Sequence, residues 1–421
     1  MQAVLHTDRD VVVLSPTGSG KTLAYLLPLS QLIDAGDDEP QAVVVTPGRE
    51  LALQSATVLK NMGSGLRAMA CYGGRATMDE HRVMKQVRPQ IVFGTPGRMN
   101  DHLDKGNLNR YHIRYLVIDE FDKCLEMGFQ DEMSRLVKSL PGLRRHFLLS
   151  ATEAEEIPRF VHMGRVEKID YRMDEEQVPE RVHIYKVESP VKDKLESLGM
   201  LLRSLGDQST IVFLNYRDSV ERTNKYLVEQ GFSTSFFHGG LEQKEREASL
   251  YRFSNGSANI LVSTDLASRG LDIPDIDNII HYHMPESEDG YIHRVGRTAR
   301  WEAQGRAFFL LGPEEHIPEY VDAEVEEYEI PAVEELPMPA KPKMATLYIG
   351  KGKKDKISKG DILGFLCKKG GLNSSEIGKI DVNDRYAYAA IARPKLRSVL
   401  NNVKGEKIKG VKTIVEEVRW F

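Results

Sequence analysis

Two series of short apolar runs, rich in β-branched residues, limit the folds that this chain can adopt. The runs are Val11–Leu14, Ala42–Thr46, Ile91–Gly94, Tyr115–Asp119, His146–Ser150, Thr210–Leu214, Thr234–His238, Asn259–Thr264, Asn278–His281 and Ala307–Leu311. Apolarity within each run is continuous, which is typical of parallel strands buried on both faces. Because helix-like stretches separate the runs, each series predicts an α/β domain with a parallel sheet.

The length of 421 residues exceeds that of one compact core. We expect a first α/β domain over residues 1–172, a second over 178–312, an acidic linker over 313–343 and a small α+β domain over 344–421. Ligands of open α/β sheets bind beyond the carboxyl ends of the strands. Polar motifs at those ends are therefore the candidate site residues.

The net charge of −5 conceals a strong asymmetry. Residues 313–340 contain 10 Asp and Glu and no Lys or Arg, whereas residues 341–421 contain 19 Lys and Arg against 8 Asp and Glu. A basic C-terminal module favours a polyanionic partner. We interpret the acidic, proline-containing segment as a solvated spacer, with an autoinhibitory contact to the basic domain as the alternative.

Composition also bears on location. No apolar run approaches the roughly 20 residues of a membrane helix, and the N-terminal residues lack the basic and apolar regions of a secretory signal. Cys71, Cys124 and Cys367 lie far apart with no C-x-x-C pair, so neither a zinc site nor a disulfide framework is expected. These features predict a cytoplasmic protein.

A phosphate-binding loop is predicted at Ser15–Thr22 (SPTGSGKT), between a strand-like run and a helix-like stretch. Its glycines let backbone N–H groups approach phosphate oxygens, and the helix N-terminus adds a positive dipole. Lys21 would reach the β- and γ-phosphates as a catalytic residue, and the Thr22 hydroxyl would hold Mg²⁺. The predicted nucleotide-binding residues of the loop are Thr17, Gly18, Ser19, Gly20, Lys21 and Thr22.

An acidic motif, Asp119–Asp122 (DEFD), follows the run at Tyr115–Ile118. A carboxylate just beyond a strand is where P-loop NTPases meet Mg²⁺, so Asp119 is predicted to bind the metal and Glu120 to polarise the attacking water. A helix-capping acidic turn is the alternative. Together with the loop, the motif indicates ATP and Mg²⁺ as cofactors.

The order of the further motifs resembles that of the DEAD-box RNA helicases of superfamily 2. The matching segments are Pro47–Ala52 (PGRELA), Gly73–Gly74, Thr95–Arg98 (TPGR), Ser150–Thr152 (SAT), Gln243 with Arg246 (QxxR), Ser263–Asp265 with Arg269–Asp272, and His293–Arg300 (HRVGRTAR). The resemblance implies two tandem RecA-like domains and RNA-stimulated ATP hydrolysis by a monomer.

The resemblance also implies roles for single residues. Arg297 and Arg300 would act as arginine fingers on the γ-phosphate, and Asp272 would bind the ribose, in a site completed when the two domains close. The residues expected to couple the ATP site to RNA are Asp122, Ser150, Thr152 and His293. The residues expected to contact RNA phosphates or sugars are Arg49, Gly74, Arg98, Arg246 and Thr264.

The sequence departs from the family pattern at several positions. Phe121, Gly48 and Ala299 replace the usual Ala, Thr and Gly of their motifs. The adenine-recognising element that precedes the loop is represented only by Gln2. We therefore expect a shortened N-terminus, with adenine selectivity depending on Gln2.

In the C-terminal domain, Leu347–Ile349 and Arg385–Ile391 resemble the RNP2 and RNP1 strands of an RRM. Period-two geometry places Tyr386 and Tyr388 on one sheet face, where they would stack on unpaired bases or, alternatively, pack the sheet surface. Gly370–Asp381 and Gly405–Gly410 resemble the RNA-binding domain of DbpA-type proteins. That resemblance implies a hairpin of large-subunit ribosomal RNA as target, with pre-ribosomal particles as partners in large-subunit assembly in bacteria.

The leading hypothesis is RNA-stimulated ATP hydrolysis that locally separates short duplexes. An ATP-gated RNA clamp or chaperone without processive unwinding is one alternative, and a DNA helicase that shares the two-domain core is another. Lys21, Glu120 and Arg300 favour an enzyme over a clamp, and the RRM-like domain favours RNA over DNA.

Overall fold

The computed structural model describes residues 8–15, 20–73, 77–151, 161–171, 182–265, 276–298 and 304–418. The chain divides into two units, with the boundary after Pro179. Among the described residues, no helix combines the length and the apolarity that a membrane crossing requires.

The first unit contains a seven-stranded parallel sheet with the strand order β3-β4-β2-β5-β6-β1-β7. Its strands are β1 (Asp10–Leu14), β2 (Ala42–Val45), β3 (Ala68–Cys71), β4 (Ile91–Gly94), β5 (Tyr115–Ile118), β6 (Arg145–Ser150) and β7 (Val166–Asp170). Strands β1, β2, β4 and β6 are buried along their whole length, which confirms the prediction made from their continuous apolarity.

Helices cover both faces of this sheet. They are α1 (Lys21–Leu32), α2 (Arg49–Asn61), α3 (Thr77–Val87), α4 (Pro96–Asp104), α5 (Phe121–Glu126) and α6 (Gln130–Lys138). Alternate residues of each strand join two different cores. Leu26 and Leu59 pack on one face with Val44, and Met99 and Phe121 pack on the other.

The second unit repeats the architecture with the strand order β10-β11-β9-β12-β13-β8-β14, again with parallel pairing. The strands are β8 (Val182–Glu188), β9 (Thr210–Phe213), β10 (Thr234–Phe237), β11 (Ile260–Ser263), β12 (Asn278–His281), β13 (Gly305–Leu311) and β14 (Val325–Glu327). The helices are α7 (Leu195–Leu205), α8 (Arg217–Glu229), α9 (Gln243–Ser254) and α10 (Glu288–Val295). The predicted pair of RecA-like sheets is thus confirmed.

The acidic segment lies along the second sheet, which corrects its interpretation as a free spacer, although its acidic side chains are mostly solvated. Its strand β14 pairs in parallel with β8 at the sheet edge. Tyr328 then packs edge-on against Tyr185 and Phe308, with ring centroids 5.7 and 5.2 Å away. Backbone pairing and aromatic burial outweigh the acidic composition, so residues beyond 312 extend the second sheet.

An ion pair at the start of the segment reinforces this attachment. The buried Lys194 ammonium binds the Glu315 carboxylate and also donates to the carbonyls of Tyr282 and Leu310. Further along, the Arg203 guanidinium donates to carbonyls of residues 336 and 337. The segment is therefore anchored at both ends.

The C-terminal domain is a four-stranded antiparallel sheet with two helices. The strand order is β16-β17-β15-β20, and a two-stranded hairpin, β18-β19, lies beside it. The elements are β15 (Met344–Ile349), α11 (Lys359–Lys368), β16 (Ile377–Val382), β17 (Ala387–Ala392), α12 (Leu396–Asn402), β18 (Lys407–Ile408), β19 (Val411–Lys412) and β20 (Val415–Glu417). Short 3₁₀ turns occur at Val333–Glu335, Lys353–Asp355, Ser374–Glu376 and Arg393–Lys395. Ser358 starts α11 by accepting from the Asp361 N–H.

Candidate functional site

The predicted nucleotide residues of the first unit lie at one edge of its sheet. Strands β5, β6 and β1 are neighbours, and they end next to Asp119, Ser150 and Ser15. The Ser15 N–H donates to the Ser150 carbonyl at 3.0 Å, which joins two of these ends directly. The edge is the carboxyl end of a parallel sheet, where ligands of this fold class bind.

Gly20 and Lys21 form the junction between the loop and α1. Gly20 has φ 87°, a left-handed conformation that glycine adopts without strain, and α1 begins at the next residue. The Lys21 ammonium donates to the Ser15 carbonyl at 2.8 Å, so it is held next to the carboxyl end of β1. Thr17, Gly18 and Ser19 lie outside the described residues.

Asp119 and Glu120 place two carboxyl groups side by side beyond β5. Asp119 is 2% exposed and accepts a hydrogen bond from the Glu120 N–H at 3.0 Å. Burial and the neighbouring Glu120 raise the pKa of Asp119 to about 7, although Lys21 opposes the shift. Glu120 has φ 49°, a conformation that costs a non-glycine residue energy and is common at functional sites. This buried, negatively charged pair suits a divalent cation.

Tyr25, on the second turn of α1, is a site residue that the sequence analysis missed. Its ring is buried, and burial together with the negative charge of Asp119 raises the pKa of its hydroxyl. Thr22 and Ser55 also lie beside that hydroxyl. The apolar spacing of α1 predicts a core position at residue 25, and only the choice of Tyr over Phe signals a polar role.

The predicted coupling residues of the first unit are buried near this edge. The Asp122 carboxylate accepts from the Lys123 N–H at 2.9 Å at the start of α5. Ser150 ends β6 and is 3% exposed. Phe121 packs in the core beneath them. Thr152 lies outside the described residues, so the coupling role of this group stays a prediction.

Arg98, a predicted RNA contact, lies within an ion-pair network. Its guanidinium contacts the Glu80 carboxylate at 2.9 Å and the Asp101 carboxylate at 3.1 Å, and donates to the Thr77 hydroxyl at 2.7 Å. The side chain is 11% exposed. Arg98 can therefore present at most part of its guanidinium to RNA.

The buried Glu80 is shared with His102, whose Nε2 lies 2.8 Å from it, and Cys71 is nearby. These three residues are close enough to suggest a metal site. Burial, however, raises the pKa of the Cys71 thiol well above its usual range, and the Arg98 guanidinium already neutralises the carboxylate. The group is an internal ion-pair network that holds α3 and α4 together.

Arg49 and Gly73, from two further motifs, are in contact. A Cβ on Gly73 would lie 3.4 Å from the Arg49 Nη2 atom, so the guanidinium lies against the glycine backbone. Gly74 is outside the described residues. The contact brings two of the predicted RNA-binding motifs together.

In the second unit, predicted RNA contacts gather at the carboxyl ends of β10 and β11. Arg246 donates to the Gly239 carbonyl at 2.8 Å, and the Thr264 N–H donates to the Phe237 carbonyl at 3.2 Å. Arg217, which the sequence analysis missed, lies beside the same glycine, Gly239. A Cβ there would meet the Arg217 and Arg246 Nη2 atoms at 3.2 and 3.7 Å. Two guanidinium groups around one backbone turn fit an anionic ligand.

The predicted arginine fingers belong to the segment that begins with α10. His293 and Arg297 are both 2% exposed. Asp272, Arg300 and the N-terminal Gln2 lie outside the described residues, and their roles stay predictions.

One of the two C-terminal tyrosines is packed against α9, which corrects the predicted base stacking for Tyr388, whereas Tyr386 is only half-buried and its contact with RNA stays a prediction. Tyr388 is 3% exposed and stacks on Tyr251 of α9, with centroids 5.1 Å apart. The Tyr386 hydroxyl donates to the Glu247 carboxylate at 2.9 Å. For Tyr388, the alternative, packing of the sheet face, is what the structure contains, with α9 as the packing partner.

Comparison with known proteins follows the same division of the chain. The DEAD/DEAH box helicase profile matches residues 1–160, the helicase conserved C-terminal domain profile matches 193–302, and the DbpA RNA binding domain profile matches 346–417. The chain is 35% identical over 413 residues to the ATP-dependent RNA helicase DbpA of Escherichia coli (strain K12), covering 96% of this chain and 89% of that protein. The chain belongs to the DbpA-type DEAD-box RNA helicases.

A second relative and a solved structure support the same family assignment. The DbpA of Bacillus subtilis (strain 168) is 32% identical over 432 residues, covering 96% of this chain and 90% of that protein. The structure of S. cerevisiae Dbp5 bound to RNA and ADP BeF3 superposes with a TM-score of 0.68 at 25% identity, covering 77% of this chain and 87% of that one. As a DEAD-box helicase, the chain binds ATP and RNA and is an RNA-stimulated ATPase.

Proposed function

We propose that this DbpA-type helicase remodels large-subunit ribosomal RNA during assembly of the bacterial subunit, as a cytoplasmic monomer that acts on pre-ribosomal particles. The observation that carries the proposal is the position of the C-terminal domain. The domain that matches the DbpA RNA binding domain is packed onto α9, the helix that carries Arg246. RNA bound by this domain would therefore stay at a constant position relative to Arg246.

The nucleotide half-site of the first unit supports ATP hydrolysis. Lys21 would bind the β- and γ-phosphates. Glu120, whose backbone has the left-handed conformation, would orient the attacking water. Thr22 and Asp119 would hold Mg²⁺, because a buried carboxylate whose pKa is raised by a neighbouring acid gains most from a cation. The metal would supply charge neutralisation at the phosphate oxygens.

The second unit would supply the remaining groups. Arg297 and Arg300 would stabilise the charge of the transferring phosphoryl group, and Asp272 would bind the ribose hydroxyl. Hydrolysis then requires residues of both units to engage one nucleotide. RNA contacted by both units would favour that state, which explains stimulation by RNA.

Contacts with the RNA backbone would give affinity without reading sequence. Arg49, Gly74 and Arg98 would contribute from the first unit. Arg246, Arg217 and Thr264 would contribute from the second, where two guanidinium groups flank Gly239. Selectivity for ribosomal RNA would come from the basic C-terminal domain. Because Tyr388 is buried against α9, this domain would bind RNA through surfaces other than that ring.

The test compares RNA-stimulated ATP turnover of the full chain with three nucleic acids of matched length. These are a large-subunit ribosomal RNA hairpin region, a small-subunit ribosomal RNA hairpin region and the DNA equivalent of the first. We expect the first to stimulate at the lowest concentration. Equal stimulation by both RNAs would refute the ribosomal target, and stimulation by DNA would favour the DNA-helicase alternative. Turnover without strand separation would favour the clamp.

A further inference from the structure

Glu80, on α3, is a buried carboxylate that joins three elements of the first unit. Its side chain is 4% exposed. Oε1 accepts a hydrogen bond from the Tyr72 N–H at 3.0 Å, directly after β3. Oε2 lies 2.9 Å from Arg98 Nε and 2.8 Å from His102 Nε2, both on α4. A carboxylate buried to this degree is stable only when such partners compensate for its lost hydration.

His102 contributes a hydrogen bond to this carboxylate and leaves the charge to Arg98. The Asn107 side-chain nitrogen lies 3.1 Å from His102 Nδ1 and can only donate, so Nε2 carries the hydrogen that faces Glu80. In this tautomer the imidazole needs no positive charge to bond the carboxylate. Of the three donors described around Glu80, Arg98 is therefore the one that supplies a permanent cation.

The same network fixes the direction of the Arg98 side chain. Nε faces Glu80, whereas Nη1 contacts the Asp101 carboxylate at 3.1 Å and donates to the Thr77 hydroxyl at 2.7 Å. Because a guanidinium is rigid and planar, acceptors at two of its nitrogen atoms hold its plane. The Asp101 side chain is 32% exposed, so the buried Glu80 is the acidic partner that solvent screens less. An arginine ordered in this way loses less side-chain entropy when it binds a phosphate.

The Tyr72 N–H ties the Glu80 carboxylate to a second predicted RNA-binding motif. Gly73 follows Tyr72, and the Arg49 guanidinium lies against this glycine, with Nη2 3.4 Å from the position of a Cβ there. Glu80 thus contacts Arg98 directly and also holds the backbone next to Arg49. The two arginines, from different motifs, share one buried anchor.

We infer that Glu80 is a positioning residue for RNA binding, which orients Arg98 relative to the Tyr72–Gly73 backbone so that Arg98 and Arg49 meet one RNA strand. This inference rests on the proposed function, in which both arginines contact the RNA backbone. Glu80 is buried and has the same sign of charge as a phosphate, so it acts through Arg98 and does not itself bind RNA.

The key variant is Glu80→Gln in the full chain. Glutamine keeps an oxygen that can accept from the Tyr72 N–H, but it presents an uncharged amide to Arg98. Affinity for a short, unstructured single-stranded RNA is measured with a non-hydrolysable ATP analogue at several salt concentrations. Affinity for ATP without RNA and the midpoint of thermal unfolding are measured on the same samples.

The matched control is Asp10→Asn, at the amino end of the same sheet. Asp10 is 6% exposed, and its carboxylate accepts from the backbone N–H groups of His146 and Gly164, each at 2.6 Å. It is a second buried carboxylate of the first unit that bonds backbone and a histidine, but none of the predicted RNA contacts. Asp10→Asn should lower the unfolding midpoint and keep the RNA affinity of the wild type at every salt concentration.

Loss of one well-oriented charged contact should weaken RNA binding by Glu80→Gln about tenfold. The plot of log affinity against log salt concentration should become less steep by about 0.7, the value for one phosphate of a single strand. A purely structural role would move the unfolding midpoint and leave this slope unchanged. Affinity for ATP should stay that of the wild type. A wild-type slope in Glu80→Gln would overturn the inference, and so would an equal change of slope in Asp10→Asn.

A double-mutant cycle with Arg98→Gln separates the inference from the proposed function. Arg98→Gln alone should weaken RNA binding at least as much as Glu80→Gln does. The double variant should bind RNA no more weakly than Arg98→Gln, although removal of both charges should recover part of the lost thermal stability. Additive losses of affinity would overturn the inference. Wild-type affinity in Arg98→Gln would overturn the RNA contact of the proposed function together with it, whereas a loss in Arg98→Gln without one in Glu80→Gln would overturn the inference alone.

A charge-conserving variant covers the case in which Glu80→Gln does not fold. Glu80→Asp keeps the negative charge, but its side chain is one methylene shorter, which draws the carboxylate back from Arg98. We expect a slope between those of the wild type and Arg98→Gln. A wild-type slope in Glu80→Asp would overturn the inference.

Discussion

The packing of the C-terminal domain onto α9 gives a prediction that can be worked out quantitatively. Tyr251 of α9 stacks on Tyr388 with an interplanar angle of 28°, and its hydroxyl donates to the Lys379 carbonyl. Asn255 donates to the Thr346 hydroxyl at 3.0 Å. We expect Tyr251→Ala to release the C-terminal domain from the second sheet domain without unfolding either.

The magnitude follows from what Tyr251→Ala removes. The aromatic pair contributes about 1 kcal/mol beyond burial, and the hydrogen bond to Lys379 contributes another ~1 kcal/mol. Loss of the buried ring brings the total to about 3–5 kcal/mol. A change of that size shifts the docking equilibrium by roughly 100- to 1,000-fold or more, since each 1.4 kcal/mol is a factor of ten.

Hydrogen exchange measures this equilibrium on the intact chain. In Tyr251→Ala, amides of α9 should exchange faster, and those in the core of the C-terminal domain should keep their protection. A double-mutant cycle with Tyr388→Ala should give a coupling energy near 1 kcal/mol. Tyr111→Ala, which alters an exposed tyrosine of the first unit, is the control.

The functional consequence is specific. Tyr251→Ala should retain affinity for structured RNA and lose most of the ATPase stimulation that this RNA provides, because bound RNA no longer keeps a constant position relative to Arg246. Unchanged exchange of α9, or zero coupling between the two tyrosines, would refute the reasoning.

Three further predictions concern the sites described above. Glu120→Gln should keep ATP and RNA binding but abolish turnover, and measurable hydrolysis would show that Glu120 does not activate the water. Glu315→Gln removes the carboxylate paired with the buried Lys194 ammonium and should lower the free energy of unfolding of the second unit by about 1 kcal/mol in urea titrations, because the Glu315 side chain is 38% exposed and the ion pair is screened by solvent. Although burial opposes it, hydrogen bonding from Lys194 and from the Gly312 N–H lowers the pKa of Glu315, so this stabilisation is present above the ordinary carboxylate pKa and is lost as pH falls through the lowered value. Tyr25→Phe removes only the hydroxyl beside Asp119 and should lower kcat about fivefold at limiting Mg²⁺, from a loss near 1 kcal/mol.

Controls separate these effects from general damage. Glu314→Gln changes the neighbouring acid of the same segment, for which no described ion pair exists, and should leave stability unchanged. For Tyr25→Phe, saturating Mg²⁺ should restore part of the lost rate; an equal loss at all Mg²⁺ concentrations would contradict a role next to the metal site.

The central strands were predictable because their burial depends on local apolarity. The runs at Ile91–Gly94 and Asn278–His281 have the same bounds in the structure. In contrast, β7 and β14 contain mostly charged residues and lie at sheet edges. They are strands because a neighbouring strand offers unpaired backbone groups, and their own side chains do not indicate that.

The same distinction applies to the site. Lys21 and Asp119 were predictable because a strand end and a motif together specify them. The sheet face on which Tyr388 lies was predictable from the two-residue period of a strand. The helix that packs against this face was not predictable, because an aromatic surface suits an RNA base and a helix equally well.

Strand displacement tests the central claim most directly, because it joins ATP hydrolysis to RNA held by the docked C-terminal domain. A short duplex is either linked covalently to the stimulating hairpin region or supplied with it as a separate molecule. The account predicts ATP-dependent displacement that is much faster for the linked duplex. Equal rates for the two arrangements, or displacement that does not require ATP hydrolysis, would contradict it.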